Sequence, residues 1–402
     1  MNDTLNINWS TLQGRVELHK IGSKLNITLP PSYAEQRKWA FDVVTQVKGS
    51  VSLGTIKLDS LSHELLGPTK SSRAQAVKVG SLPSYIPQLE TKIEVSSVAI
   101  NHFDLKDVKV LALFNLGFVF FDTKNRVIED ISSQYYPLLE LNPNLNELLC
   151  SCERYTETST FIADWFFERN YAHWLLDTIP RLLKREGKVV CHAPKNSWQK
   201  ELLLIYGVDN KDIVPIEPNS CISFKRLLLD GKNSCPVPHP SYKCHSEALE
   251  FIRKPLRTVV KADSESKVAL VVKRFDSRVI VNSDRLEEML VQLGYIVQVI
   301  DCARVSVPTQ IKCFAEAELI FGAHGAAMAN TAFCKAGARV FEVFPPCYGN
   351  PAFWAVSNTV GASYIAVTAV EEVTDDSKHA RYRDIKLTER CFTLLNELLT
   401  NN

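Results

Sequence analysis

The chain has 402 residues, 46% hydrophobic and 23% charged, with a formal net charge of +1. That balance describes a globular protein long enough for roughly two or three domains, and it argues against nucleic acid or an anionic membrane as the partner. The first residues, Met1 to Ser10, are polar and lack the order of a signal peptide, and no apolar run approaches the roughly 18–20 residues of a membrane span. The 11 cysteines are scattered and odd in number, which reads as reduced thiols in a cytoplasmic protein.

Residues 1–95 mix short apolar stretches with Asn, Ser, Gly and Pro, and read as a β-rich or irregular segment ending in an extended linker at 81–90. From Val98 to Ile128, β-branched and aromatic runs around a turn at Asp122–Asn125 predict a β-meander. A loop then leads into a short helix before Cys152. Phe161 to Phe167 are strongly apolar. Asn170 to Leu176 pattern as a helix that Pro180 interrupts and Gly187 ends. Strands at 189–194, 212–217 and 223–231 enclose a helix at 197–207, and this alternation predicts a parallel α/β sheet. A Pro-rich loop at 235–243 precedes a helix at 246–262 that carries the chain to a second domain.

That domain opens with a strand at 267–275, an amphipathic helix closed by Gly294, and a strand at 295–301. A helix capped by Ser306 or Thr309 follows. Leu319 to Phe321 read as a buried strand, Gly322-Ala323-His324-Gly325 as a small-residue turn, and Ala326 to Phe333 as a helix stopped by Gly337. Val340 to Val343 restart a strand, which Pro345 ends. This is one β-α-β unit of about thirty residues. A helix and strand at 355–367 and an amphipathic closing helix complete the chain. The divisions are therefore 1–95, a first α/β domain at 96–255, a second Rossmann-like α/β domain at 256–385 and a closing helix at 386–402.

Three constellations carry chemistry. In the first, small residues Gly322 and Gly325 allow close approach to the backbone, and the helix start at Ala326 offers unpaired N–H groups that suit a diphosphate. His324 lies at its mouth, and Glu342 ends the next strand, where a carboxylate could accept ribose hydroxyls. The plainer alternative is a tight turn with His324 capping the helix. In the second, His173 and Asp177 are four apart and share a helix face. Either could act as base, with Trp174 as an aromatic wall for a sugar; a half-buried His–Asp pair and a core Trp are the alternative. In the third, Lys273, Arg274 and Arg278 follow the first strand of the second domain and could neutralise a diphosphate, or could simply form a solvated basic loop. Cys235, His239, Cys244 and His245 have the ligand types but not the spacing of a zinc site, and no Asp-x-Asp motif is present.

The runs N-Y-A-H-W-L-L-D-T-I-P-R-L from Asn170, K-R-x-x-x-R-x-I-x-N from Lys273 and G-A-H-G-A-A-M-A-N-x-x-F from Gly322 together resemble glycosyltransferase family 61. The resemblance implies an α/β GT-B fold, two Rossmann-like domains facing a cleft, with a β-rich N-terminal extension. It implies an inverting transfer from a nucleotide sugar, UDP-linked by preference, to a glycan or lipid-linked glycan acceptor in capsular or other surface polysaccharide synthesis. It implies no metal and no other cofactor, and a cytoplasmic location with peripheral membrane association as an option. By position, Asp177 and His173 are the catalytic candidates, with Asp177 preferred as base and His173 as its positioner. Lys273, Arg274, Arg278, Asn282, Gly322, His324, Gly325, Ala326, Asn330 and Glu342 fall on the donor side. Asn170, Trp174 and Arg181 fall beside the acceptor. The chain departs from the family pattern at Ala327 and Met328, where Gly and Leu are more usual. A nucleotide-sugar epimerase, or a carbohydrate-binding protein that does no chemistry, remains the alternative.

Overall fold

A computed structural model describes residues 54–57, 62–66, 70–73, 75–81, 93–96, 100–113, 117–133, 136, 139, 145–163, 170–217, 220–230, 246–259, 267–372 and 379–400. The Pro-rich loop, the Cys235–His245 set and nearly all of the 81–90 linker lie outside them.

The strands of the amino half are β1 (Thr55–Ile56), β2 (Ser62–Leu66), β3 (Lys70–Arg73), β4 (Val77–Val79), β5 (Ile93–Ser96), β6 (Ile100–Leu113), β7 (Gly117–Phe121), β8 (Val127–Ile128), β9 (Glu153–Phe161), β10 (Lys188–Cys191), β11 (Ile213–Pro215) and β12 (Cys221–Asp230). The expected meander is β6–β7–β8, and its turn closes where the Asn125 N–H bonds the Asp122 carbonyl at 3.0 Å. It is not a separate unit. β6 pairs antiparallel with β12, and β12, β9, β10 and β11 are mutually parallel, so meander and α/β strands form one mixed sheet. The amino half therefore departs from a purely parallel Rossmann-like sheet. Aromatic residues fix one of its faces: Phe118 and Phe120 pack edge-on against Phe161 at 4.9 and 5.3 Å.

The carboxyl half holds β13 (Val268–Val272), β14 (Ile296–Ile300), β15 (Leu319–Ala323), β16 (Arg339–Phe344) and β17 (Ser363–Thr368), with a small ribbon of β18 (Val370–Glu372) and β19 (Asp384–Lys386) beside them. β13 and β15 are buried at every residue, as parallel strands covered on both faces must be. Their sheet is parallel throughout, in the order β14–β13–β15–β16–β17–β4. The last member comes from the amino-terminal segment. That segment is thus divided, with β1 and β2 in the first sheet and β4 at the edge of the second.

The halves share an apolar core. Trp174, Leu175, Ile179, Leu202 and Leu249 from the first pack with Leu270, Phe314, Ile320, Met328 and Phe333 from the second. Each such side chain contributes about 1.5–3 kcal/mol when removed from water. No helix among the described residues is long and apolar enough to cross a membrane. The cysteines among the described residues are free thiols.

Candidate active site

Numbered along the chain, the five carboxyl-half strands lie in the order 2-1-3-4-5, with β4 added beyond. From β13 the chain moves first to one side, to β14, and then to the other, to β15. Such a reversal opens a crevice outside the carboxyl ends of the two central strands. Here those ends deliver Lys273 and Arg274 after β13, and Ala323, His324 and Gly325 from β15. Two of the three motifs therefore meet at one sheet edge.

The Arg274 Nε donates to the Ser277 carbonyl at 2.7 Å, and Nη2 reaches Asp276 at 3.1 Å. Its Nη1 lies where a Cβ on Gly325 would fall, and Arg278 Nη2 lies 3.7 Å from the same point. The two guanidinium groups thus converge on Gly325. Arg278 is 9% exposed, and its Nε and Nη1 are buried without a hydrogen-bond acceptor among the described residues. Burial, and then the charge of Arg274, push its guanidinium below the ordinary value. It also sits in the left-handed region at φ 54°, its ring neighbour being Tyr348 at 5.2 Å.

Lys273 and Asn282 do not join this pair. Lys273 Nζ meets Asp284 and Glu287 at 2.8 Å each, and those bonds hold its ammonium above the ordinary value. Of the three expected cations, Arg274, with Asp276 on its Nη2, and Arg278 are the two that lie at Gly325. The Asn282 amide accepts from the Leu387 N–H at 3.0 Å and donates to the Leu387 carbonyl at 2.8 Å. It fastens the loop to the chain after β19 rather than facing a donor.

His324 is 2% exposed and Glu342 is fully buried. The His324 Nδ1 bonds one Glu342 oxygen, and the Tyr364 hydroxyl donates to the other. Glu342 therefore has no oxygen left for a ribose, and the expectation that it binds one gives way to a role as the partner of His324. Burial, then the Glu342 charge, raises the Tyr364 phenol well above its ordinary range. The expectation that Gly322 makes room for a ligand also changes: a Cβ there would lie 2.5 Å from Met328 Sδ, so this glycine makes room for the core.

Ala326–Phe333 is a 3₁₀ helix instead of the expected α-helix. One reason is visible. Asn330 Nδ2 takes the Ala327 carbonyl at 3.1 Å, the oxygen an α-helical Thr331 N–H would use. Asn330 is fully buried, also donating to Gln310 at 2.8 Å and accepting from the Tyr171 hydroxyl at 2.6 Å. It ties this helix to the amino half and does not reach a ligand. Ala326, half-buried, opens the segment beside Gly325.

On the other side of that tie, Asn170 caps a single α-turn through the Ala172 N–H at 2.9 Å. Pro180 has no N–H to return to Leu176, and the helix widens: Trp174–Thr178 is π-helical, with the Ile179 N–H reaching the Trp174 carbonyl. π-Turns of this kind recur at functional sites. His173 Nδ1 and Asp177 Oδ2 lie 2.7 Å apart, with side chains 12% and 6% exposed. The other Asp177 oxygen is buried and accepts no hydrogen bond among the described residues. Trp174 is 3% exposed and packs edge-on against Trp198 at 5.8 Å, so it is a core residue and not a wall for a sugar. Arg181 Nε bonds the Asp177 carbonyl at 3.1 Å.

Sequence reasoning missed Tyr364, Tyr348 and Tyr171. A tyrosine in an otherwise apolar strand is the one local hint of the first, since a buried hydroxyl needs a partner. Among the described residues, no three His, Cys, Asp or Glu side chains gather as a metal would require.

In this mixed α/β fold two arginines and a histidine stand at a strand-order reversal, and the Tyr171–Asn330 bond ties the His–Asp-bearing segment to the helix beside them. The family model for glycosyltransferase 61 matches residues 171–341, from the His173–Asp177 segment into β16. The chain carries a glycosyltransferase family 61 domain and is a glycosyltransferase, as its three motifs imply. No curated protein matches it.

Proposed function

We propose that the protein transfers a sugar, with inversion and without a metal, from a nucleotide diphosphate sugar to a hydroxyl of a glycan acceptor. The observation that carries this reading is the convergence of Arg274 and Arg278 on Gly325, with two buried Arg278 nitrogens unpartnered among the described residues. Buried guanidinium N–H groups without acceptors are unfavourable, and an entering diphosphate supplies both acceptors and negative charge. The backbone N–H groups after Gly325 add donors of the same sense. Fixed guanidinium charge then meets the negative charge developing on the leaving group, the part a divalent cation has in other transferases.

The acceptor hydroxyl loses its proton to a base as its oxygen bonds the anomeric carbon. The bond from that carbon to the phosphate oxygen breaks, and the nucleoside diphosphate leaves with the electron pair. We assign the base to His173 and the orienting role to Asp177, because Asp177 is the more buried of the two and one of its oxygens is already engaged by His173. The GT-B arrangement of two lobes about a cleft, a UDP-linked donor and a place in capsule or other surface polysaccharide synthesis in the cytoplasm belong to the same reading; the family supports them.

Calorimetric titration with UDP, GDP and other nucleoside diphosphates in EDTA tests it. One of them is expected to bind; binding that appears only with magnesium, or none at all, ends the metal-free reading. His173→Ala should lower kcat by about 10²–10⁴ while the nucleotide still binds. Full turnover in that variant moves the base elsewhere. Donor consumed without acceptor points instead to a nucleotide-sugar epimerase.

A further inference from the structure

Glu342 lies on β16 and Tyr364 on β17, with Tyr364 opposite Val340 and Ala366 opposite Glu342. Tyr364 is thus the diagonal neighbour of Glu342 on one sheet face. His324 follows β15, on the other side of β16. Three parallel strands in a row therefore deliver one buried chain of hydrogen bonds: the Tyr364 hydroxyl to Glu342, and Glu342 to His324 Nδ1. Glu342 is 0% exposed, and no Lys or Arg ion pair reaches it among the described residues. With Glu342 accepting both bonds, the His324 proton resides on Nδ1.

Resting on the donor-site reading, we propose that Tyr364 is a positioning residue that acts through Glu342 to fix the His324 ring for the leaving diphosphate. A glutamate with one free oxygen can rotate about its terminal bond. With Tyr364 holding Oε2, the carboxylate plane is set and Oε1 faces His324. The ring is also stacked on Phe344 at 5.2 Å. Nδ1 is then committed to the core, and Nε2, which bonds no protein group among the described residues, is the atom that donates to the phosphate oxygens when it too carries a proton. Arg274 and Arg278 supply charge at that edge, and the Tyr364–Glu342 chain supplies direction. A buried carboxylate fixes a metal-holding histidine in the same way, but there Nε2 acts through its lone pair and toward an anion it acts through a proton.

The test combines a spectroscopic and a kinetic readout. Nitrogen-15 spectra of the histidine side chains, assigned by comparison with His324→Gln, should show His324 protonated at Nδ1 in the unliganded wild type. A ring protonated only at Nε2 overturns the proposal without any variant being needed. Tyr364→Phe, which removes a single oxygen, should shift that Nδ1 signal. It should also raise the donor KM, or weaken nucleoside diphosphate binding, by roughly tenfold. The acceptor KM should stay unchanged. Glu342→Leu, which leaves Nδ1 no acceptor at this position, should abolish the Nδ1 signal and weaken the nucleotide further. If Tyr364→Phe loses only thermal stability, with donor KM and Nδ1 signal as in the wild type, the hydroxyl is structural and the proposal fails. Wild-type protein that binds no nucleoside diphosphate refutes the donor-site reading instead, and the Nδ1 signal still decides the histidine's orientation.

Discussion

Arg278 combines two unfavourable features at one position. Its backbone adopts φ 54°, where a non-glycine residue is strained, and its guanidinium is buried beside Arg274 with two nitrogens unpartnered among the described residues. Strain kept at a site that would be easier to fill with glycine points to function there. Arg278→Gly should relieve both features. Thermal denaturation is expected to show an unchanged or higher Tm, on the order of 1 kcal/mol more stable. Calorimetry should show nucleoside diphosphate binding weakened by about 10- to 100-fold, the usual range for a hydrogen-bonded charge. A variant that lost stability and kept its affinity would place the arginine in the scaffold. Glu342, Asn282 and Asn330 show the opposite condition. Each is polar and carries a motif position, yet each has its hydrogen bonds taken within the protein. Their contribution to a ligand is indirect.

At the scale of elements, the strand–turn–helix unit from β15 to β16 uses the two glycines of its first turn, Gly322 and Gly325, for different neighbours. A Cβ on Gly322 would meet Met328 Sδ at 2.5 Å and Val272 Cβ at 3.2 Å, both in the shared core. Gly322→Ala should destabilise the fold by about 1–3 kcal/mol through overpacking, and trimming Met328 should recover part of the loss. A Cβ on Gly325 would meet the end of the flexible Arg274 side chain. Gly325→Ala should therefore leave the Tm nearly unchanged while displacing the guanidinium and weakening nucleotide binding. The pair of variants separates packing from ligand contact, read by denaturation and calorimetry side by side. The π-turn of Trp174–Thr178 likewise answers to Pro180, which withholds one N–H and lets the ladder slip by a residue.

Across the whole molecule, ion pairs stitch strands that are far apart in sequence. Arg226 on β12 holds Asp104 on β6 through Nε, at 3.0 and 3.2 Å to the two carboxylate oxygens, and through Nη2 at 2.8 Å, and reaches Glu186 at 2.6 Å. The Arg226 hydrogen bonds hold the Asp104 carboxyl below the usual range. The unfolded chain takes up this proton near the ordinary pKa of about 3.9. The pair's stabilisation is therefore complete above that value and is lost as the pH falls through the depressed one. Both side chains are about a third exposed, so the effect should be on the order of 0.5 kcal/mol. Denaturant unfolding of wild type and Asp104→Asn should differ by this amount near neutrality and converge in acid; a gap that persists in acid would assign it to packing. What the sequence by itself determined lies in short windows. β13, β15 and β16 are legible because parallel strands covered on both faces read as unbroken apolar runs, and the His173–Asp177 bond is legible because four residues bring two side chains to one helix face. Partners distant in sequence were left to the tertiary structure. Val77–Val79 carries no local sign that it closes the carboxyl-half sheet, and Lys273 looks like Arg274 until the following helix supplies Asp284 and Glu287. Glu342 looks like a ligand's acceptor until strand register sets Tyr364 beside it. Backbone preference is decided over a few residues, whereas whether a polar side chain is left for a ligand depends on which groups the whole fold brings to it.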